Sequence, residues 1–119
     1  MQYKIFLDDI RSPINIGLIE EWVIVRNYDE FIKIIEKNGI PTFISFDHDL
    51  SNEHYVQTFD YKKFKEKTGY DCCKWLIEYC INNNQPFPEY HVHSMNPVGK
   101  ENIISLIENF KKSQKEKIL

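Results

Sequence analysis

The sequence predicts an α/β domain: a central, mostly parallel sheet with helices on both faces. Three observations carry this. Short apolar runs rich in strand formers alternate with stretches of helical period. Most of the connections between them are short. Three of the apolar runs stop abruptly on polar residues, namely Asp8-Asp9, Asp47-His48-Asp49 and His93-Ser94-Met95-Asn96. The 119 residues leave room for one core, so residues 1–119 read as a single domain.

The elements follow in order. Tyr3 to Leu7 reads as a buried strand ending at Asp8-Asp9. Ile10 to Glu21 holds Pro13 and Gly17 and reads as a loop with at most one helical turn. Trp22 to Arg26 is a second strand. Asn27-Tyr28-Asp29-Glu30 has the form of a capping box, and Tyr28, Phe31, Ile32 and Ile35 recur behind it at helical spacing until Gly39 and Pro41. Thr42 to Phe46 is a third strand, closed by Asp47-His48-Asp49. Leu50 to Lys67 is polar and aromatic without period, a long loop of the kind that carries function. Thr68-Gly69-Tyr70-Asp71 starts a helix with an apolar stripe through Cys72, Trp75, Leu76, Tyr79 and Cys80. Asn82 to Asn84, Pro86 and Pro88 end it. Tyr90 to Met95 is a fourth strand. Asn96-Pro97 then fits an N-cap followed by proline at the first helical position. The last helix carries Ile103, Ile104, Ile107 and Phe110, and its lysine-rich tail from Lys111 to Lys117 reads as a solvated, fraying end.

Composition excludes several classes. Hydrophobic residues make up 42% and aromatic residues 14%, too many for a disordered chain. A net charge of -3 argues against a basic coat on DNA. No apolar stretch approaches the roughly 18 residues of a membrane span. The N-terminus does not read as a signal peptide. Three cysteines, Cys72, Cys73 and Cys80, lack zinc-knuckle spacing, and their odd number suits a reducing compartment, so a cytoplasmic protein is expected. Oligomeric state is not legible. Richness in Ile, Lys and Asn, with no alanine at all, fits an AT-rich genome and hence a phage or mobile-element accessory protein.

Ligands of open α/β sheets bind at the carboxyl ends of the strands. The three polar segments should therefore meet at one edge. Asp8, Asp9, Asp47 and Asp49 converging there would repel one another unless a cation intervened. All-oxygen ligands favour Mg²⁺ or Mn²⁺, and a histidine among them would admit Zn²⁺. His48, between two acids, and His93, at a strand end, are candidates for general acid or base. His91 shares a face with His93. Ser94, Asn96 and Gly99 lead into a helix N-terminus suited to phosphate, Gly99 giving close approach to the backbone, and Arg11 adds a bidentate phosphate contact. In the long loop, His54 reads as exposed. Tyr55, Phe59, Tyr61 and Phe64, interleaved with Lys62, Lys63, Lys65 and Lys67, form a mixture that could stack single-stranded bases or pin the loop to the domain.

These residues carry a resemblance. Asp8-Asp9, Asp47 and Ser94 look like the receiver domain of two-component signalling, in which paired acids hold Mg²⁺, an aspartate accepts phosphate and a Ser or Thr follows it. Those roles would fall on Asp8 and Asp9, Asp47, and Ser94. The chain departs from that pattern: the first helix is nearly absent, and no fifth strand ends in a lysine, Lys100 lying inside the last helix. The fuller match is to cyclic-phosphate processing receiver domains. Leu7-Asp8-Asp9-Ile10-Arg11-Ser12-Pro13, Phe46-Asp47-His48-Asp49-Leu50, Thr68-Gly69-Tyr70-Asp71 and His93-Ser94-Met95-Asn96-Pro97-Val98-Gly99 resemble that family's motifs, in order, over nearly the whole chain. The resemblance implies a receiver-like (flavodoxin-like) three-layer sandwich with a sheet of four to five strands.

It also implies an activity on cyclic phosphates. The expectation is a metal-dependent phosphoesterase opening a 2′,3′-cyclic phosphate at an RNA end or in a cyclic nucleotide. Asp8, Asp9, Asp47 and Asp49 would hold the metal; His48, His93 and Asp47 would be catalytic; Arg11, Ser94, Asn96 and Gly99 would bind substrate. The alternative is a receiver-like signalling or binding module, with or without phosphorylation at Asp47.

Overall fold

A computed structural model describes residues 2–13, 22–50 and 67–118, the last three by backbone alone. The segments 14–21 and 51–66 lie outside the described residues, and with them His54 and most of the aromatic and lysine residues of the long loop. Among the described residues four strands form one parallel sheet: β1 (Lys4–Leu7), β2 (Val23–Val25), β3 (Phe43–Phe46) and β4 (Glu89–Val92), in the order β2-β1-β3-β4. Among the described residues, three helices, α1 (Tyr28–Asn38), α2 (Gly69–Asn82) and α3 (Pro97–Ile118), accompany the sheet in a receiver-like, flavodoxin-like α/β fold. No described helix is long and apolar enough to cross a membrane.

Register decides which residues become core. Ile5 pairs with Val23 and Ile44, and Ile44 pairs with Tyr90. Because side chains alternate along a strand, Ile5, Leu7, Val25, Ile44, Phe46 and Val92 share one face. They pack against Phe31 and Ile35 of α1, Cys72 and Leu76 of α2, and Ile103 and Ile107 of α3. The chain crosses the sheet in the same direction from β2 to β3 and from β3 to β4. Right-handed crossovers then put α1 and α2 on the same side, and α3 packs beside α2. The three cysteines are free and buried in α2, where burial pushes each thiol up and leaves it inert. On the opposite face Phe6 and Ser45 are buried, and the Trp22 ring stands edge-on to Phe6 and to Phe43.

The helix starts aim the strand ends. Asn27 caps α1 by accepting from Glu30 N–H, while the Glu30 carboxylate accepts from Arg26 N–H, one residue before the partner a strict capping box would use. At α2, Thr68 and Asp71 form the full reciprocal box. Asn96 caps α3: its side-chain oxygen accepts from Gly99 N–H at 3.0 Å and its carbonyl from Lys100 N–H.

Gly69 is a residue of close approach. Its N–H donates to the His48 carbonyl at 2.7 Å, and a Cβ here would stand 1.8 Å from the Asp47 carbonyl oxygen. This contact brings the start of α2 onto the end of β3, and neither partner is a flexible side chain. Gly69→Ala is therefore expected to cost about 1–3 kcal/mol of stability, the range of overpacked sites, measured by urea denaturation. A variant as stable as the native chain would contradict the contact.

Candidate functional site

Asp8, Asp47 and His93 are the residues immediately after β1, β3 and after the end of β4. Each continues the sheet ladder by one step. Asp8 N–H donates to Val25 O at 3.1 Å, Asp47 N–H to Leu7 O at 2.9 Å and His93 N–H to Phe46 O at 2.9 Å. Pinned by backbone to neighbouring strands, the three side chains converge at the carboxyl edge.

Asp8 is almost fully buried and is the most heavily bonded of them. Its Oδ1 accepts from Ile10 N–H at 2.9 Å and Arg11 N–H at 2.8 Å. Its Oδ2 accepts from Arg11 Nε at 2.9 Å and His93 Nε2 at 3.0 Å. Burial alone would push this carboxyl up. The hydrogen bonds from His93, Ile10 and Arg11, together with the Arg11 charge, outweigh burial and hold it well below the usual carboxylate range.

An ionised Asp8 can only accept, so His93 Nε2 carries a proton and donates. The other ring nitrogen, Nδ1, is paired with Ser45 Oγ at 2.7 Å. The imidazole also stacks on Phe6, with ring centroids 4.5 Å apart and planes 8° from parallel. Both nitrogens and one ring face of His93 are thus engaged inside the fold. His91, two residues earlier, is exposed; burial and then the Lys100 and His93 charges draw its pKa down.

Asp47 lies in the opposite electrostatic situation. Burial and the neighbouring Asp8 charge raise its pKa to about 6, against the lowering effects of His93, Arg11 and a hydrogen bond from Ser94. Arg11 spans both acids: bonded to Asp8, its Nη2 is 3.9 Å from Asp47 Oδ2 and 3.4 Å from the His93 carbonyl. Arg26 braces the same loop from behind, its Nη1 donating to the carbonyls of Asp8 at 3.0 Å and Arg11 at 2.6 Å. An open cavity of about 220 Å³ lies over these residues, lined by Asp8, Ile10, Arg11, Asp47, Asp49 and Met95.

The expected residues therefore fall into two groups. Asp8, Arg11 and Asp47 line the cavity, and His93 and Ser94 bond to its two acids, His93 to Asp8 and Ser94 to Asp47. His48, Asp49, Asn96 and Gly99 form a second, supporting cluster. His48 is buried and its Nδ1 pairs with Asp49 Oδ1 at 2.9 Å, which also accepts from Asn96 Nδ2 at 3.3 Å. Gly99 lies against the imidazole, where a Cβ would stand 2.3 Å from His48 Cγ. The glycine thus gives room to a histidine, and Asn96 spends its side chain on the cap of α3 and on Asp49. Asp8, Asp47 and His93 each offer a ligand atom, all within 4.8 Å of one another. Asp9, half-buried, belongs neither to that group nor to the cavity wall, and Asp49 lines the cavity without joining the group. Ser45, Phe6 and Arg26 were not expected at the site. A serine inside the apolar run Phe43-Ile44-Ser45-Phe46 was the available signal, because a buried hydroxyl needs a partner.

A receiver-like α/β domain with its polar cluster at the carboxyl ends of β1, β3 and β4 is what fold and site define. A family model described as the cyclic-phosphate processing receiver domain matches residues 3–109, and the chain belongs to that family. No curated protein and no solved structure matches the chain.

The raised Asp47 has a consequence for stability. Its folded-state pKa lies above the unfolded value, so between about pH 4 and pH 6 the native chain keeps a proton that the unfolded chain releases. Stability falls as pH rises through that window. In metal-free buffer Asp47→Asn is expected to match the native chain at about pH 4. At about pH 7.5 it should exceed it by about 1–3 kcal/mol, read by denaturation at the two pH values. A variant less stable at the higher pH would contradict the assignment.

Proposed function

We propose that this chain opens a cyclic phosphate, as a metal-dependent phosphoesterase acting on a 2′,3′-cyclic phosphate RNA end or a cyclic nucleotide. One observation carries the reading: Asp47, a buried carboxylate with a pKa near 6, shares a cavity wall with the Arg11 guanidinium and accepts a hydrogen bond from Ser94. That is a proton acceptor poised near neutral pH beside a fixed positive charge.

The donor set fits a divalent ion. Asp8 and Asp47 would hold it, the ion competing with the N–H donors on Asp8, and the repulsion between the two acids is what a cation relieves. Mg²⁺ or Mn²⁺ suits the carboxylates, and Zn²⁺, which also accepts aspartate oxygens, is the alternative. When bound, such an ion polarises the phosphate and lowers the pKa of water.

The chain's own groups do the rest. Asp47, ionised, takes a proton from the attacking water. The water oxygen bonds to phosphorus, one ring P–O bond breaks, and the proton passes from Asp47 to the leaving sugar oxygen, giving a phosphomonoester. Arg11 neutralises the phosphate as charge develops on it. His93, with both nitrogens engaged, acts as a positioning residue for Asp8.

The Ser94 hydrogen bond to Asp47 also favours a second reading, a phospho-accepting module. In that case acetyl phosphate with Mg²⁺ adds one phosphoryl group to the native chain and none to Asp47→Asn.

The phosphoesterase reading is tested with a panel of 2′,3′-cyclic nucleotides and Mg²⁺, Mn²⁺ or Zn²⁺. Expected are release of 2′- or 3′-monophosphate, loss of turnover with a chelator, and a kcat about 10²–10⁴-fold lower in Asp47→Asn. No turnover with any metal or substrate contradicts it.

A further inference from the structure

Two large apolar side chains stand exposed at the rim of the cavity. Ile10 is 66% exposed and Met95 82%. They belong to different loops, after β1 and after β4, yet both line the same 220 Å³ cavity as Arg11 and Asp47. Burying either in the core would have been favourable, so two exposed apolar groups converging on one polar cavity point to a ligand with an apolar face.

The cavity size says which part of a ligand reaches them. At about 220 Å³ it is smaller than the roughly 300–1,000 Å³ of pockets that enclose a whole drug-sized molecule. A phosphate and its sugar fill such a space, and whatever the sugar bears at its far side lies across the rim. A flat, polarisable base there meets the Ile10 side chain and the Met95 thioether, which makes favourable contacts with aromatic rings and adapts its shape. Of the remaining polar group on the wall, Asp49, one oxygen is committed: Oδ1 is held by His48 and Asn96. Among the described residues the rim therefore offers mainly apolar contact, with the acceptor-only Asp49 carboxylate beside it.

We propose that Ile10 and Met95 form a clamp for the nucleobase, so that this site takes nucleoside phosphates in preference to base-free sugar phosphates and discriminates weakly between bases. The clamp rests on the phosphoesterase reading for where the phosphate sits. It distinguishes the chain from an enzyme that reads the base by hydrogen bonds.

The test separates binding from turnover. The full chain with Mg²⁺ is titrated calorimetrically with adenosine 3′-monophosphate and with methyl riboside 3-phosphate, which lacks only the base. The nucleotide is expected to bind about tenfold more tightly. Met95→Ala, a change at an exposed position, should collapse that ratio, and Met95→Leu should restore most of it. A trinucleotide ending in the same 3′-phosphate, compared with the mononucleotide, tells an RNA end from a free nucleotide, and in either arm insensitivity to Met95→Ala overturns the clamp. Equal affinity for the two monophosphates, or no measurable binding of the nucleotide, also overturns it. Turnover of the cyclic substrates is recorded in parallel. Its absence with the affinity difference intact removes the phosphoesterase reading and leaves the clamp standing.

Discussion

The Asp8 carboxylate is the interaction on which the rest of the site depends. A carboxylate offers about four lone-pair positions, and all of them meet an N–H: two from the loop backbone, one from Arg11 Nε and one from His93 Nε2. A single buried charge thereby ties the loop after β1 to the residue after β4, across β3. Arg11 is held where its guanidinium reaches Asp47, and His93 is held flat on Phe6 with Ser45 behind it. Losing that charge would leave several buried donors without an acceptor, a cost well above that of one ordinary hydrogen bond.

The same charge sets the chemistry of its neighbour. Two acids occupy one buried edge, and their environments push them apart. Asp8 is stabilised as an anion by its four donors, while Asp47 is lifted towards neutrality by burial and by Asp8 itself. Splitting two carboxylates in this way is how one site obtains both a fixed negative charge and a titratable group near neutral pH. It also explains the order of roles among the residues. Among the described histidines, His93 has both ring nitrogens bonded and His48 is held by Asp49 against Gly99, whereas the raised pKa belongs to Asp47.

Much of the fold could be read from the chain because local signals and global fold agree. Apolar runs ending at Asp8 and Asp47 mark two adjacent parallel strands, and the strand read over Tyr90 to Met95 pairs beside them, ending earlier, at Val92. Asn27, Thr68 and Asn96 cap the helices that the periodicity predicts. The meeting of Arg11 and Ser94 with Asp8 and Asp47 followed from the rule that places ligands at strand ends, whereas Asp9, expected with them, lies outside the cluster and the cavity wall. What could not be read was the pairing of side chains across the edge. Sequence adjacency suggests that Asp8 and Asp9, or Asp47 and Asp49, act as equals. The cluster at the strand ends instead takes one member of each pair and adds His93. Gly99 is a similar case. Glycine at a helix start is compatible with a ligand or with a packed side chain, and only three-dimensional contact shows that the neighbour is His48. Ser45 and Arg26 act at long sequence separation, where a local pattern carries no trace of the partner.

The central claim is the division of labour between the two acids, and carboxyl-carbon NMR of the metal-free chain tests it most directly. Following the side-chain resonances of Asp8 and Asp47 through acid pH should show Asp47 titrating near pH 6, while Asp8 remains ionised down to the pH at which the fold is lost. Asp47 titrating in the ordinary carboxylate range, or Asp8 taking up its proton first, would contradict the account.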